Sequence, residues 1–256
     1  MVSDTRTADT RQARPSDAVS GSSVLWLRVN VSGALLEATR SCEADVFLSA
    51  FGNTRDQLAD EYGPYERQSM FLAVTDTVGD VLGACRMILP GPAGLKTLND
   101  VGRAPWFVDG DRAARAAGID PARAWDIATL GVRDGHRGRN AMVALALYHG
   151  ILKATHLNAV PSVTSIMDDH ARRVLGSFDY SYPVLPGTAS ASYLGSASST
   201  PVYCHASMLD TQRRLNPEAY RLLSLGIGLD GVSRPADDDY RLSTDALQAM
   251  QGVAAA

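Results

Sequence analysis

Between Trp125 and Thr155 the apolar run WDIATLGV enters a basic turn, Arg133 to Arg139, and then passes directly into residues with helical apolar spacing. This order constrains the fold most, because it puts a helix start at the end of a strand. Backbone N–H groups at a helix start lack partners within the helix and carry the positive end of its dipole, so they can hold a phosphorylated group. Arg133, His136, Arg137 and Arg139 crowd the same turn and can add charge-assisted hydrogen bonds to phosphate oxygens. A solvated basic loop between two core elements would use the same residues, and the turn alone does not choose between them.

The chain has 256 residues, enough for one fairly large domain with a buried core. Residues 1–22 hold almost no large apolar side chains and are expected to form a disordered tail. The domain itself is expected over 23–230, followed by a polar segment and loose tail over 231–256. With 45% apolar and 20% charged residues and a net charge of -4, the composition is that of an ordinary globular protein and argues against general nucleic-acid binding. Cys42, Cys85 and Cys204 are far apart in sequence and form no CxxC pair, which argues against a disulfide framework or a thiolate metal site and fits the cytoplasm. No apolar run suits a signal peptide or a membrane span.

Leu35, Leu36, Ala38, Cys42, Val46 and Phe47 predict a helix over 33–50, broken at Gly52-Asn53. Thr54 and Gln57 have capping-box spacing and start a second short helix. Ser69 to Thr75 and Asp80 to Leu89 are apolar runs around a turn ending in Gly79, and predict an antiparallel hairpin. Pro90 to Asn99 reads as a loop, the stretch to about 120 as irregular or with a short helix over 111–117, and 124–132 as a strand. A helix over 139–155 and a strand from Ala159 to Met167 follow, then a helix capped by Asp168 and ended by Gly176. Pro201 to Met208 reads as a late strand, whose exposure would allow homodimer pairing, and Thr211 to Leu225 as a helix. The mixture predicts an α/β fold with helices on both faces of one sheet.

The frame Arg137-Gly138-Arg139-Asn140-Ala141-Met142 resembles the diphosphate loop of the GNAT superfamily of N-acyltransferases: Arg or Gln, two residues, Gly, one residue, then Gly or Ala. Asn140 and Met142 stand where that loop has small residues. Three further segments resemble the branch of acyl-homoserine-lactone synthases and long-chain N-acyl amino acid synthases. These are Phe71 to Asp76, then Val81 to Pro90 with Thr97 to Val101, and Trp125 to Val132. The resemblance spans roughly residues 35–208 and is densest over 69–155. It implies a largely antiparallel central sheet, acyl-CoA or acyl carrier protein as co-substrate, and a small-molecule or peptide amine as acceptor, with no tightly bound cofactor. It also implies that Arg137 through Met142 cradle the donor diphosphate, while backbone groups of Leu130 and Val132 meet pantetheine. The synthases carry an arginine at the position of Thr129, in the acceptor site, so homoserine-lactone synthesis is the weaker alternative. A GNAT-like acyl-CoA sensor without turnover is the other.

Acyl transfer needs a deprotonated amine, a stabilised carbonyl oxygen and a proton for the departing thiolate. Asp126 is the carboxylate placed to hold or deprotonate the amine; alternatively it pairs with Arg86 or Arg123 at a strand end. Arg86 lies in an apolar strand, where it either grips an acceptor carboxylate or forms an ion pair with Asp126 or Glu66. Arg173 stands where many acetyltransferases have a tyrosine general acid, leaving Tyr180 and Tyr182 as candidates for that role or as core residues. Asp168-Asp169-His170 reads as a helix start, and His149 and His156 lack a third ligand, so no metal is expected. Tyr193 to Ser196 reads as a flexible loop, without the strand-elbow-helix setting that a nucleophilic serine uses.

Overall fold

The computed structural model describes residues 24–135, 139–180 and 182–243; the expected tail over 1–22 and the centre of the basic turn, 136–138, lie outside them. Strand β1 (Leu25–Val29) has no counterpart among the sequence expectations. Its five residues alternate buried and exposed, too short a run to stand out until its neighbours flank it. Helix α1 (Gly33–Phe51) ends at Gly52, whose φ of 74° is the left-handed conformation that glycine adopts readily. Helix α2 (Arg55–Tyr62) opens on the expected capping box of Thr54 and Gln57. Strands β2 (Ser69–Thr75) and β3 (Val81–Ile88) form the expected hairpin, with Phe71 opposite Arg86.

The segment expected as a loop over 90–99 instead leads into helix α3 (Lys96–Asp100). The cause is remote in sequence, because the Asp126 carboxylate accepts hydrogen bonds from both the Thr97 amide and the Thr97 hydroxyl. Helix α4 (Gly110–Ala116), strand β4 (Trp125–Val132), helix α5 (Asn140–Leu157) and strand β5 (Ser162–Asp168) fall close to expectation. Helix α6 (Asp169–Ser177) is capped by Asp168, which accepts from the Ala171 amide at 2.7 Å.

Four later expectations are corrected. The supposed flexible loop at Tyr193 to Ser196 closes a hairpin between β6 (Ala191–Tyr193) and β7 (Ser196–His205). Gly195 at its tip, with φ of 82°, leaves so little room that a Cβ would lie 2.2 Å from the Phe51 carbonyl oxygen. The late strand expected from Pro201 is not free for homodimer pairing over 201–203, because β5 pairs with it on one side and the segment around Val184 bonds to it on the other. The single helix expected over 211–225 is two, α7 (Met208–Leu215) and α8 (Pro217–Leu223). Pro217 cannot donate a helical hydrogen bond, and the Asn216 side chain caps the second helix by accepting from the Ala219 amide. The polar segment after 230 is packed: β8 (Val232–Ser233) pairs in parallel with β1, and Tyr240 of α9 (Asp237–Tyr240) is buried.

The strands form one sheet in the order β6-β7-β5-β4-β3-β2-β1-β8, antiparallel except for the β5/β4 and β1/β8 pairs. Helix α5 covers one face over the largest cluster, which includes Leu72, Leu82, Met87 and Leu147. Helix α1 covers the other over Phe71, Ala73 and Ala84. Small residues let both helices close in. A Cβ on Gly83 would lie 2.5 Å from Val143 of α5, and one on Gly131 would lie 2.6 Å from Val46 of α1.

Candidate active site

Strands β4 and β5 run in parallel but pair only at Trp125 with Val163 and Asp126 with Thr164. Beyond that point they diverge, and β4 continues to Val132 along β3 alone. The register of β4 against β3 shifts between Arg86 and Met87, leaving Ala128 as an extra residue on β4. In consequence Ile127 and Leu130 both join the α5-side core, while Ala128 packs beside α1 and α2 and the Thr129 hydroxyl reaches Glu43 of α1. The Arg133 amide bonds to Leu82 in β3, so by strand alternation the amides of Leu130 and Val132 point to the open edge where β5 has left.

A cavity of about 570 Å3 occupies this opening, within the range of small-molecule sites. On the α5 side its wall is mainly apolar, including Leu152, Leu175 and Leu209 together with Tyr148, Tyr180 and Tyr182. On the α1 side it meets Tyr62, Lys96, Thr97, Asp100, Asp126 and Tyr193. One space therefore joins a chamber suited to an aliphatic chain with a wall of ionisable groups.

Asp126 has no exposed surface, and burial raises its carboxyl to about 7, against the opposing pull of the two Thr97 hydrogen bonds. It does not pair with Arg86 or Arg123; its carboxylate accepts from the Thr97 donors. A carboxyl poised there can take a proton from an amine near neutral pH. Tyr180 is buried with its hydroxyl 3.2 Å from Ser224 Oγ, and burial pushes both Tyr180 and Tyr182 above the ordinary phenol range. Both phenols consequently stay protonated at neutral pH.

Arg86 does not line the cavity. Its Nε and Nη2 donate to Glu43 at 3.0 and 2.7 Å, and its Nη1 donates to Glu66 at 2.8 Å. The rings of Tyr62 and Phe71 lie against the same guanidinium. Of its two expected roles, the ion pair with Glu66 is the one present, with Glu43 as a further partner. Thr129 joins this network instead of facing an acceptor: its hydroxyl donates to Glu43 at 2.6 Å and accepts from the Arg86 amide.

At the start of α5, Arg139 is the N-cap residue without a side-chain cap, and no acidic side chain occupies the first turn of Asn140, Ala141 and Met142. Asn140 Oδ1 is buried without a hydrogen-bond partner, and Met142 packs on the main core. His136, Arg137 and Gly138 lie outside the described residues. Among the described residues no group of three or more His, Cys, Asp or Glu side chains is arranged to hold a metal ion.

Sequence reasoning missed Lys96. Its Nζ is buried and donates to Glu61 and Asp100, both at 2.7 Å, and to Tyr193 at 3.2 Å. Tyr193 also donates to Asp100, and Arg103 bonds both carboxylates. This cluster ties α2, α3 and the β6/β7 hairpin together along one wall of the cavity. The spacing of Lys96 and Asp100, one helical turn apart, was its available signal.

No protein-family model matches the chain, and no curated protein matches it. Among solved structures, it is similar to BjaI, a CoA-dependent acyl-homoserine lactone synthase determined with SAM and isopentyl-CoA. The TM-score is 0.52 at 15% identity, over 90% of this chain and 99% of that one. FeeM, an N-acyl amino acid synthase from uncultured soil microbes, gives 0.51 at 12% identity, over 79% and 95%. The chain has the GNAT-type fold of these synthases. The cavity reaches Leu130 on the open β4 edge and the half of α5 from Tyr148 to His156. No helix among the described residues is long and apolar enough to cross a membrane.

Proposed function

We propose that this protein is an N-acyltransferase that moves an acyl group, long enough to use the apolar chamber, from a CoA or carrier-protein thioester to an amine. The observation that carries the reading is the cavity through the β4/β5 opening, with Asp126 on its wall. Resemblance and fold support the same reading. The donor diphosphate would lie on the α5 turn from Arg137 to Met142, and pantetheine would bond along Leu130 and Val132. Asp126 would take the amine proton, directly or through water. Once the tetrahedral intermediate collapses, the C–S bond breaks and Tyr180 or Tyr182 supplies a proton to the thiolate. Transfer is direct, and the three free cysteines suit a reducing cytoplasm.

Homoserine-lactone synthesis is disfavoured, because the Thr129 hydroxyl is committed to Glu43 at the position of the synthases' acceptor-site arginine. Isothermal titration with acyl-CoAs, combined with a free-thiol assay over a panel of amines, tests the reading. The expected result is donor binding with amine-dependent thiol release; binding without release across the panel would instead identify an acyl-CoA sensor. Arg137→Ala is expected to weaken donor binding several-fold, and unchanged affinity would remove the diphosphate turn from the model of binding.

A further inference from the structure

The same cavity wall carries a second set of acyl-transfer groups, on β5 and β7 rather than β4. Ser162 opens β5 directly opposite His205, which ends β7, and Ser162 Oγ lies 2.8 Å from His205 Nδ1. The other ring nitrogen of His205 is 2.9 Å from the Ala117 carbonyl oxygen at the end of α4. A carbonyl can only accept, so Nε2 carries a proton, and in the neutral ring Nδ1 is the acceptor for the Ser162 hydroxyl. This is the arrangement that activates a serine: nucleophile, base within hydrogen-bond reach, and a third group fixing the tautomer. Thr164, two residues along β5 on the same face as Ser162, is fully buried, and its Oγ1 has no hydrogen-bond partner. All three side chains belong to residues that line the cavity. An orphaned buried hydroxyl is costly, and here it offers a donor to a ligand oxygen.

We propose that Ser162 and His205 form a nucleophilic dyad that takes the acyl group from a thioester and hydrolyses it, with Thr164 donating to the acyl oxygen. The inference rests on the acyl-binding reading of the cavity but adds an activity that direct transfer to an amine does not need. His205 Nδ1 takes the Ser162 proton as Oγ attacks the carbonyl; the C–S bond breaks, and the proton leaves on the thiolate as free thiol. Water then attacks the Ser162 ester, passing a proton through the same nitrogen. The ester C–O bond breaks, the carboxylic acid leaves, and Ser162 regains its hydrogen. Such a branch would release the donor as free acid whenever no amine is bound.

The test uses p-nitrophenyl octanoate, an activated ester with no pantetheine, so its outcome does not depend on the diphosphate turn. Formation of the N-acyl amide from acyl-CoA and an amine is measured separately and reports on the transferase reading alone. The full chain should give a burst of p-nitrophenolate and an octanoyl adduct, with loss of the phenol, on the peptide containing Ser162. Ser162→Ala and His205→Gln should abolish burst and adduct. Circular dichroism melts of each variant show that the fold persists, and adduct mapping in the unaltered chain needs no variant. Equal release by the unaltered chain and Ser162→Ala, an adduct elsewhere, or no adduct at all overturns the dyad.

Discussion

Asp126 and Arg86 were expected to play paired or parallel roles, and their surroundings separate them. Asp126 accepts hydrogen bonds from the neutral Thr97 donors on a cavity wall where Asp100 and Lys96 act in opposite directions, so burial dominates and its carboxyl rises to about 7. The rate of amine transfer should therefore rise with pH through about 7 as the base ionises. Asp126→Asn, which can still accept from the Thr97 amide and donate to its hydroxyl, should lower turnover with little change in donor affinity; unchanged turnover over pH 6 to 9 would remove the base. The same shift affects folding. A carboxyl raised in the folded state contributes stability that is complete below its unfolded value and is lost as pH rises through about 7. Urea unfolding of the unaltered protein should thus show a fall in stability from pH 5 to 8 that Asp126→Asn reduces. Arg86 is held between Glu43 and Glu66, so its expected role is positional. Glu43→Ala leaves a buried guanidinium and the Thr129 hydroxyl short of an acceptor, and should cost about 3–5 kcal/mol of unfolding free energy. A loss below ~1 kcal/mol in the same urea measurement would show that the network tolerates the gap.

At the scale of elements, the helices reach the sheet through missing side chains. Gly83 admits Val143 of α5 and Gly131 admits Val46 of α1, so an added methyl at either position pushes a helix away from the strand. Gly83→Ala should destabilise the protein by about 1–3 kcal/mol, the usual range for overpacking, as read from the thermal or urea midpoint. An unchanged midpoint would mean that α5 shifts freely on the sheet. The element expectations that held were local ones: the Thr54 capping box, the break at Gly52 and the Asp168 cap each lie within a few residues of what they satisfy. Those that failed depended on distant partners. Helix α3 is capped by Asp126, the β6/β7 hairpin is docked on Phe51 and the Lys96 cluster, and β8 finds β1 across nearly the whole chain.

For the whole molecule, the decisive feature is that β4 and β5 touch at one end and part at the other, creating a passage through an otherwise continuous sheet. Leu152 lies on its apolar side, and Leu152→Trp should reduce kcat/KM for long acyl donors while sparing short ones; an unchanged chain-length profile would show that acyl chains run elsewhere. By itself the sequence determined the order of the main helices and strands and the strand-turn-helix unit at Arg133 to Arg139. Periodicity, caps and turn residues were enough for these because they act over short separations. Only the tertiary structure decided which side chains meet. Arg86 went to Glu43, Thr129 to the same network, Asp126 to Thr97, and Ser162 to His205. The reason is physical: pairings between strands and helices far apart in sequence depend on register and on the bulge at Ala128, and a shift of one residue moves a side chain to the other face.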